Sequence, residues 1–263
     1  MEFKRTVGTR RTTRYYQAWR PVEKQKIQKI LHAARLQSHH GNAQEVRKAV
    51  VVTKGETPDA VRDGLIDAVY NQPQAHQAPV AIVWCTDLAG WEPLRPTLLK
   101  LIETGSLTSS YGWSEEFVDS VVMKTPDFNV LAGDIEFAKW LSSFECGLGV
   151  GSALLAATDE GLGTGLVTGR RDQIRELLKM PDSVIPTQIQ LVGYAAESIE
   201  AGGQRPRPDF EQLYFDGTWG NSIQGDPEVV DELTEAGMIQ SAAPLPHRKA
   251  ELRALAGMFG LPE

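Results

Sequence analysis

The chain has 263 residues, 41% apolar and 23% charged, with a net charge of −7. This is a length for one large or two small domains, and a composition of globular rather than disordered or fibrous proteins. Its two cysteines, Cys85 and Cys146, are far apart and form no CxxC pair, which argues against a disulfide framework or a zinc site.

The opening MEFKRTVGTRR lacks the apolar core of a secretory signal, so a cytoplasmic location is expected. No run of about 18 apolar residues follows, and no membrane partner is expected. Residues 1–54 carry 13 Lys/Arg against 3 Asp/Glu, leaving −17 for the rest. A basic segment on an acidic body calls for an anionic partner. The acidic total and the lack of a recognised nucleic-acid module point away from nucleic acid and towards a small phosphorylated ligand.

Ile27, Ile30, Leu31 and Ala34 recur at helical spacing and predict a helix over Val22–Arg35, begun by Pro21. Residues 38–42, SHHGN, break it. The β-branched run Val46–Thr53 predicts a strand. A helix over Thr57–Tyr70 and a strand over Val80–Cys85 come next, then an irregular stretch with one short helical run, Leu98–Ile102. Residues 134–160 are apolar almost all round, as in a central buried helix. Gly147, Gly149 and Gly151 inside it suggest close helix–helix contact. A strand over Gly163–Thr168, a helix over Arg170–Leu178 and a strand over Ile185–Tyr194 complete the regular part. Two further helices are expected at Pro227–Ala236 and Arg248–Met258. Interleaved helices and about four strands with long joins predict an α+β fold, its mixed or antiparallel sheet of four to five strands covered by helices.

Four segments carry candidate chemistry. Arg10-Arg11-Thr12-Thr13-Arg14 puts three guanidiniums and two hydroxyls within five residues. If extended, it shows Arg10, Thr12 and Arg14 on one side, a donor set suited to phosphate. It also reads as a solvated basic arm. Arg205-Pro206-Arg207 offers a second pair facing one way, or a plain surface loop. Together the two fit two walls of one phosphate pocket. The turn Ser38-His39-His40-Gly41-Asn42-Ala43-Gln44 carries amides able to serve both edges of a heterocycle, or simply caps its neighbours. Two histidines without carboxylate or thiolate partners make a poor metal site. The fourth segment, Asp159-Glu160-Gly161-Leu162-Gly163-Thr164-Gly165, follows a helix, so it is no dinucleotide fingerprint. No GxSxG, HExxH or P-loop is present, and the chain reads as one whose chemistry comes from a cofactor.

These four segments, in this order, resemble the FMN-dependent nitroreductase family over most of residues 8–207. The resemblance implies a nitroreductase-like fold in an intertwined homodimer and a ping-pong cycle. Hydride passes from NADH or NADPH through FMN to a small-molecule acceptor such as a nitroaromatic or a quinone. By the same match Arg10, Arg11, Thr12 and Arg14 hold the FMN phosphate and ring edge, and Arg205 and Arg207 complete the phosphate site. Ser38, Asn42 and Gln44 reach the flavin of the partner subunit, with His39 in place of a usual serine. Glu160 and Gly161 offer backbone N–H groups near flavin N5 and O4, and Asn71 lies near the pyrimidine. His39, His40, Tyr111, Trp113 and Phe128 are candidates for shaping the acceptor pocket, or ordinary core and loop anchors. The expected division is a flavin domain over 1–207 and an extension over 208–263 that packs on the partner subunit. Dehalogenation, enone reduction, heterocycle oxidation, flavin breakdown and non-catalytic flavin binding are the alternatives within the fold.

Overall fold

The computed structural model describes residues 2–39, 45–126 and 135–262. Among them, four strands form one antiparallel sheet: β1 (Arg47–Thr53), β2 (Val80–Asp87), β3 (Gly163–Val167) and β4 (Val184–Gly193), in the order β1-β2-β4-β3. Ala49 lies opposite Trp84, Val83 opposite Ile189, and Gly165 opposite Leu191. β2 is central and buried on both faces, which is why VAIVWC reads as a continuous apolar run rather than an alternating one.

Helices cover both faces. One carries α2 (Lys24–Arg35) and the 25-residue α7 (Ile135–Asp159). Ile27, Ile30 and Ala34 of α2, spaced by three and four, meet Cys146, Val150, Ala153 and Ala157 of α7 and Ile82 and Trp84 of β2. The other face carries α3 (Asp59–Ala68), α4 (Pro73–Gln77) and α8 (Arg171–Leu177), whose Leu65, Ile66, Ala75 and Ile174 pack on Val83, Cys85, Ile189 and Leu191. Each fully buried aliphatic side chain contributes about 1.5–3 kcal/mol. The polar group inside the α2–α7 face is satisfied: Gln190 accepts from Trp84 Nε1 at 3.0 Å and donates to Thr164 Oγ1 at 3.0 Å.

The irregular stretch 88–125 holds α5 (Leu94–Glu103) and α6 (Glu115–Ser120) around a small core of their own, Leu94, Leu98, Val118 and Val122. By length and composition α7 is apolar enough to cross a membrane, yet half of that window is buried within the fold. The glycines of α7 divide by role. A Cβ on Gly149 would stand 2.8 Å from Arg47 Nε, whereas one on Gly147 or Gly151 would meet nothing within 4 Å. Close approach within the chain therefore explains Gly149, and its neighbour is the stem of an arginine from β1 rather than another helix.

At the N-terminus α1 (Phe3–Thr9) precedes the arginine-rich segment. Beyond β4 the chain carries α9 (Pro227–Glu235) and α10 (Arg248–Phe259). This extension packs on the N-terminal segment of its own chain. Lys4 pairs with Glu232, Arg11 Nη2 donates to Gln240 Oε1 at 2.7 Å, and the Tyr15 and Phe259 rings lie 5.8 Å apart.

Candidate cofactor site

The edge strand β3 organises the site. Thr12 forms a parallel bridge with Thr164, Thr13 N donates to Thr164 O at 2.9 Å, and Tyr16 pairs with Ala195 beyond the end of β4. Residues 12–16 thus run extended along the sheet edge. Thr13 and Tyr16 turn inward and are buried, which leaves Thr12 and Arg14 on the outer side. Tyr16 N donates to Gln77 Oε1 of α4 at 3.0 Å, a second tether.

Arg207, from the far end of the chain, lies near enough for its charge to act on Arg10. Burial, and after it the charge of Arg207, lower the pKa of the Arg10 guanidinium below its ordinary value. Burial and then Arg10 do the same to Arg11, against an opposing pull from Glu200. Among the described residues no carboxylate lies within ion-pair distance of Arg10, Arg205 or Arg207. Like charges gathered without a counter-charge are unfavourable in an isolated chain, and an anion with several acceptor oxygens relieves that cost.

Arg11 differs from its neighbours. Its donors face Gly8 O, Arg10 O at 3.1 Å, Glu200 O at 3.2 Å and Gln240 Oε1, so it ties the arm to the body. Arg14 is exposed, with Nη1 3.3 Å from Thr12 O. Arg205, two residues before Arg207 in the chain, is exposed.

Asn71 belongs to a second cluster, past the far end of β3. It has φ of 52°, follows Tyr70 at φ of 62°, and donates to Asp67 Oδ1 at 3.3 Å. Asp67 also receives Arg170 Nη2 and Gln173 Nε2, each at 2.7 Å. Two successive non-glycine residues in the left-handed region are strained, and such strain gathers at functional sites.

Glu160 and Gly161 do not present the free N–H groups expected of them. Glu160 N donates to Ala156 O and Gly161 N to Thr158 O, each at 3.0 Å, and Gly161 adopts φ of 73°. These are the closing bonds of α7, and the glycine serves as its left-handed cap. The Glu160 carboxylate accepts from Lys29 Nζ at 2.8 and 3.0 Å, and its carbonyl from Lys26 Nζ at 2.6 Å. Asn42 and Gln44, with His40 and Phe128, lie outside the described residues. The Ser38 carbonyl accepts from Arg47 Nη2 at 3.1 Å. His39 Nε2 lies 3.9 Å from Glu45 Oε1. Trp113 packs edge-on against Phe117 in the satellite core, and Tyr111 is exposed.

A nitroreductase family model matches residues 7–194. The chain belongs to the nitroreductase family. Among curated proteins no sequence relative matches. Solved structures share the fold. A nitroreductase from Exiguobacterium sibiricum, described as putative and in complex with FMN, is 21% identical, with a TM-score of 0.65 over 81% of this chain and 96% of its own. NfrA1 of Bacillus megaterium is 21% identical, with a TM-score of 0.57 over 88% and 78%. CLA-ER, an enone reductase of gut-bacterial fatty acid saturation, is 18% identical, with a TM-score of 0.65 over 82% and 98%. Membership in the nitroreductase family makes the chain an oxidoreductase in broad class.

The family match ends before Arg205, so Arg205, Arg207 and the extension stand outside it. Two residues that no sequence motif singled out also bear on this site. The Glu197 side chain, 0% exposed, accepts from Arg14 N at 2.5 Å and Tyr15 N at 3.2 Å. Arg248 Nη2 donates to its other oxygen at 2.8 Å. A carboxylate so far inside a fold requires a cation. The one available signal was the general rule that a buried acid is paired, and sequence alone did not show that Glu197 is buried.

Proposed function

We propose that this chain is an FMN-dependent, homodimeric oxidoreductase that takes hydride from NADH or NADPH and delivers it to a small organic acceptor, nitroaromatics and quinones first among them. The observation that carries the reading is the approach of Arg10 and Arg207, two guanidiniums with no carboxylate counter-charge among the described residues. A phosphate monoester matches that donor set in charge and in hydrogen-bonding chemistry. Thr12, on the outer side of the same extended arm, adds a hydroxyl.

When bound, FMN supplies hydride exchange through N5, first with the nicotinamide and then with the acceptor. The residues of this chain bind and orient it. Arg10, Arg205 and Arg207 hold the phosphate, and Arg14 lies further along the same arm. Asn71, with one amide donor on Asp67, keeps its other donor and its carbonyl oxygen for the pyrimidine edge. Arg11 acts beside them by fixing the arm rather than by direct contact. Orientation at fixed distance is the main contribution such a protein makes.

A second copy completes the assembly. α7 shows solvent an apolar stripe of Trp140 (63% exposed), Phe144 (55%) and Leu148, interrupted by the bare Gly147 and Gly151. Patches of this kind mark protein interfaces. Trp219, 91% exposed in the extension, is a further surface for the partner.

The test is NADH and NADPH consumption by FMN-loaded protein against a nitroarene, a quinone and an activated enone. Steady turnover with at least one acceptor is expected. A flavin that neither nicotinamide reduces within minutes would make the chain a carrier and end the enzymatic reading.

A further inference from the structure

We propose that Arg248, on α10, is a positioning residue for the cofactor phosphate, joining the two arginine walls from behind. The proposal rests on the FMN reading above and deepens it. Arg248 is buried and touches the approach to each wall. Through Nη2 it holds Glu197, whose carboxylate fixes the Arg14 and Tyr15 amides in the extended arm. Its stem lies on Gly202, where an added Cβ would stand 2.7 Å from both Cδ and Nε. Gly202, at φ of 86°, begins the Gly202-Gly203 turn that leads to Arg205-Pro206-Arg207. Leu245 N, just before α10, donates to Gly202 O at 2.8 Å and strengthens the same contact.

The remaining donors of Arg248 are organised as well. Nη1 donates to Glu251 Oε2 at 2.8 Å, and Glu251 Oε1 accepts Ser198 N at 2.6 Å. The unit Glu251–Arg248–Glu197 therefore fixes residues 14, 15, 197, 198 and 202 with one guanidinium fork. Other tail contacts act in the same direction: Gln204 pairs with Ala242, and Arg11 reaches Gln240. The extension is in this respect a latch on its own chain, closed over the segment that gathers positive charge.

Loss of Arg248 leaves Glu197 buried without its cation. The carboxylate then draws water or shifts outward, and the Arg14 and Tyr15 amides lose their acceptor. The arm loosens, and the cost falls on the phosphate rather than on the ring. FMN and riboflavin differ only in that phosphate, so their ratio isolates it.

The experiment titrates FMN and riboflavin into full-length wild type, Arg248→Ala and Arg248→Lys by quenching of flavin fluorescence. Arg248→Ala should bind FMN about tenfold more weakly or worse, the scale of one charge-assisted hydrogen bond. Riboflavin affinity should stay within about twofold, since the fold-wide contacts are untouched. Arg248→Lys should recover part of the loss by keeping charge without the fork. Parallel weakening of both ligands, or unchanged FMN affinity, overturns the inference. If Arg248→Ala fails to fold, the isosteric Glu197→Gln variant carries the test: selective loss of FMN affinity supports the inference, and parallel or absent loss overturns it. A wild-type chain that takes up no FMN would instead overturn the reading beneath it.

Discussion

Gly149→Ala should destabilise the protein, although alanine is the better helix former. The substitution gains about 1 kcal/mol of helix propensity. Against this, its Cβ would collide with the Arg47 stem, 2.8 Å from Nε and closer still to Cδ. Arg47 has little room to yield. Its side chain is 4% exposed, and its donors hold Ala34 O, Ser38 O at 3.1 Å and Glu145 O at 3.2 Å, with Glu145 Oε2 3.7 Å away. Moving it forfeits at least one charged hydrogen bond, about 1.5–3 kcal/mol. The net loss is about 0.5–2 kcal/mol, or roughly 1–8 °C in Tm for a chain of this size. The assay is a thermodynamic cycle by urea unfolding with Arg47→Ala and the double variant. In the Arg47→Ala background the clash partner is gone, and Gly149→Ala should become stabilising by about 1 kcal/mol. The same sign in both backgrounds would refute the steric argument.

Arg207→Ala should weaken FMN binding by about tenfold or more, measured by fluorescence titration. The ligand-free form should keep or gain thermal stability, because the repulsion on Arg10 is relieved. Burial pushes the Cys85 thiol up to about 12 from an ordinary 9.0. Its folded-state pKa is raised, so the native state disfavours the thiolate. The corresponding stability is complete below about pH 9 and is lost as pH rises from about 9 towards 12. Cys85→Ala should flatten that part of a stability-against-pH curve, and a disulfide reagent at pH 8 should modify neither thiol of the native protein.

Much of the fold was legible because the core elements are periodic. All four strands fall within a few residues of their expected bounds, since β-branched runs bounded by Pro79 and Asp87 have no competing helical pattern. The sheet proved antiparallel, and the parallel link to its edge, at Thr12, is a single bridge. α1 is not evident from sequence because FKRTVGT is seven residues long and carries two threonines, a valine and a glycine, all weak helix formers. It is held by tertiary contact, with Gly8 close against Gly237 and Met238. α4 is one turn long, too short for periodicity to register.

For the site, the sequence shows two arginine clusters, and in the fold the charge of Arg207 acts on Arg10. What composition could not separate was a binding arginine from a bracing one: Arg11 sits in the same motif, yet its donors face protein oxygens. A glycine after a long helix is ambiguous in the same way, and Gly161 serves as the left-handed cap of α7. Glu197 and Arg248 were invisible because they are 51 residues apart and belong to no local pattern.

The most direct measurement is a stoichiometric titration of the purified, flavin-stripped chain with FMN, followed by fluorescence and visible absorbance. One FMN per subunit should bind saturably, with affinity that falls as salt rises and that far exceeds the affinity for riboflavin. Protein that stays colourless in excess FMN, or that takes up both flavins equally, would contradict the claim that Arg10 and Arg207 form a phosphate site.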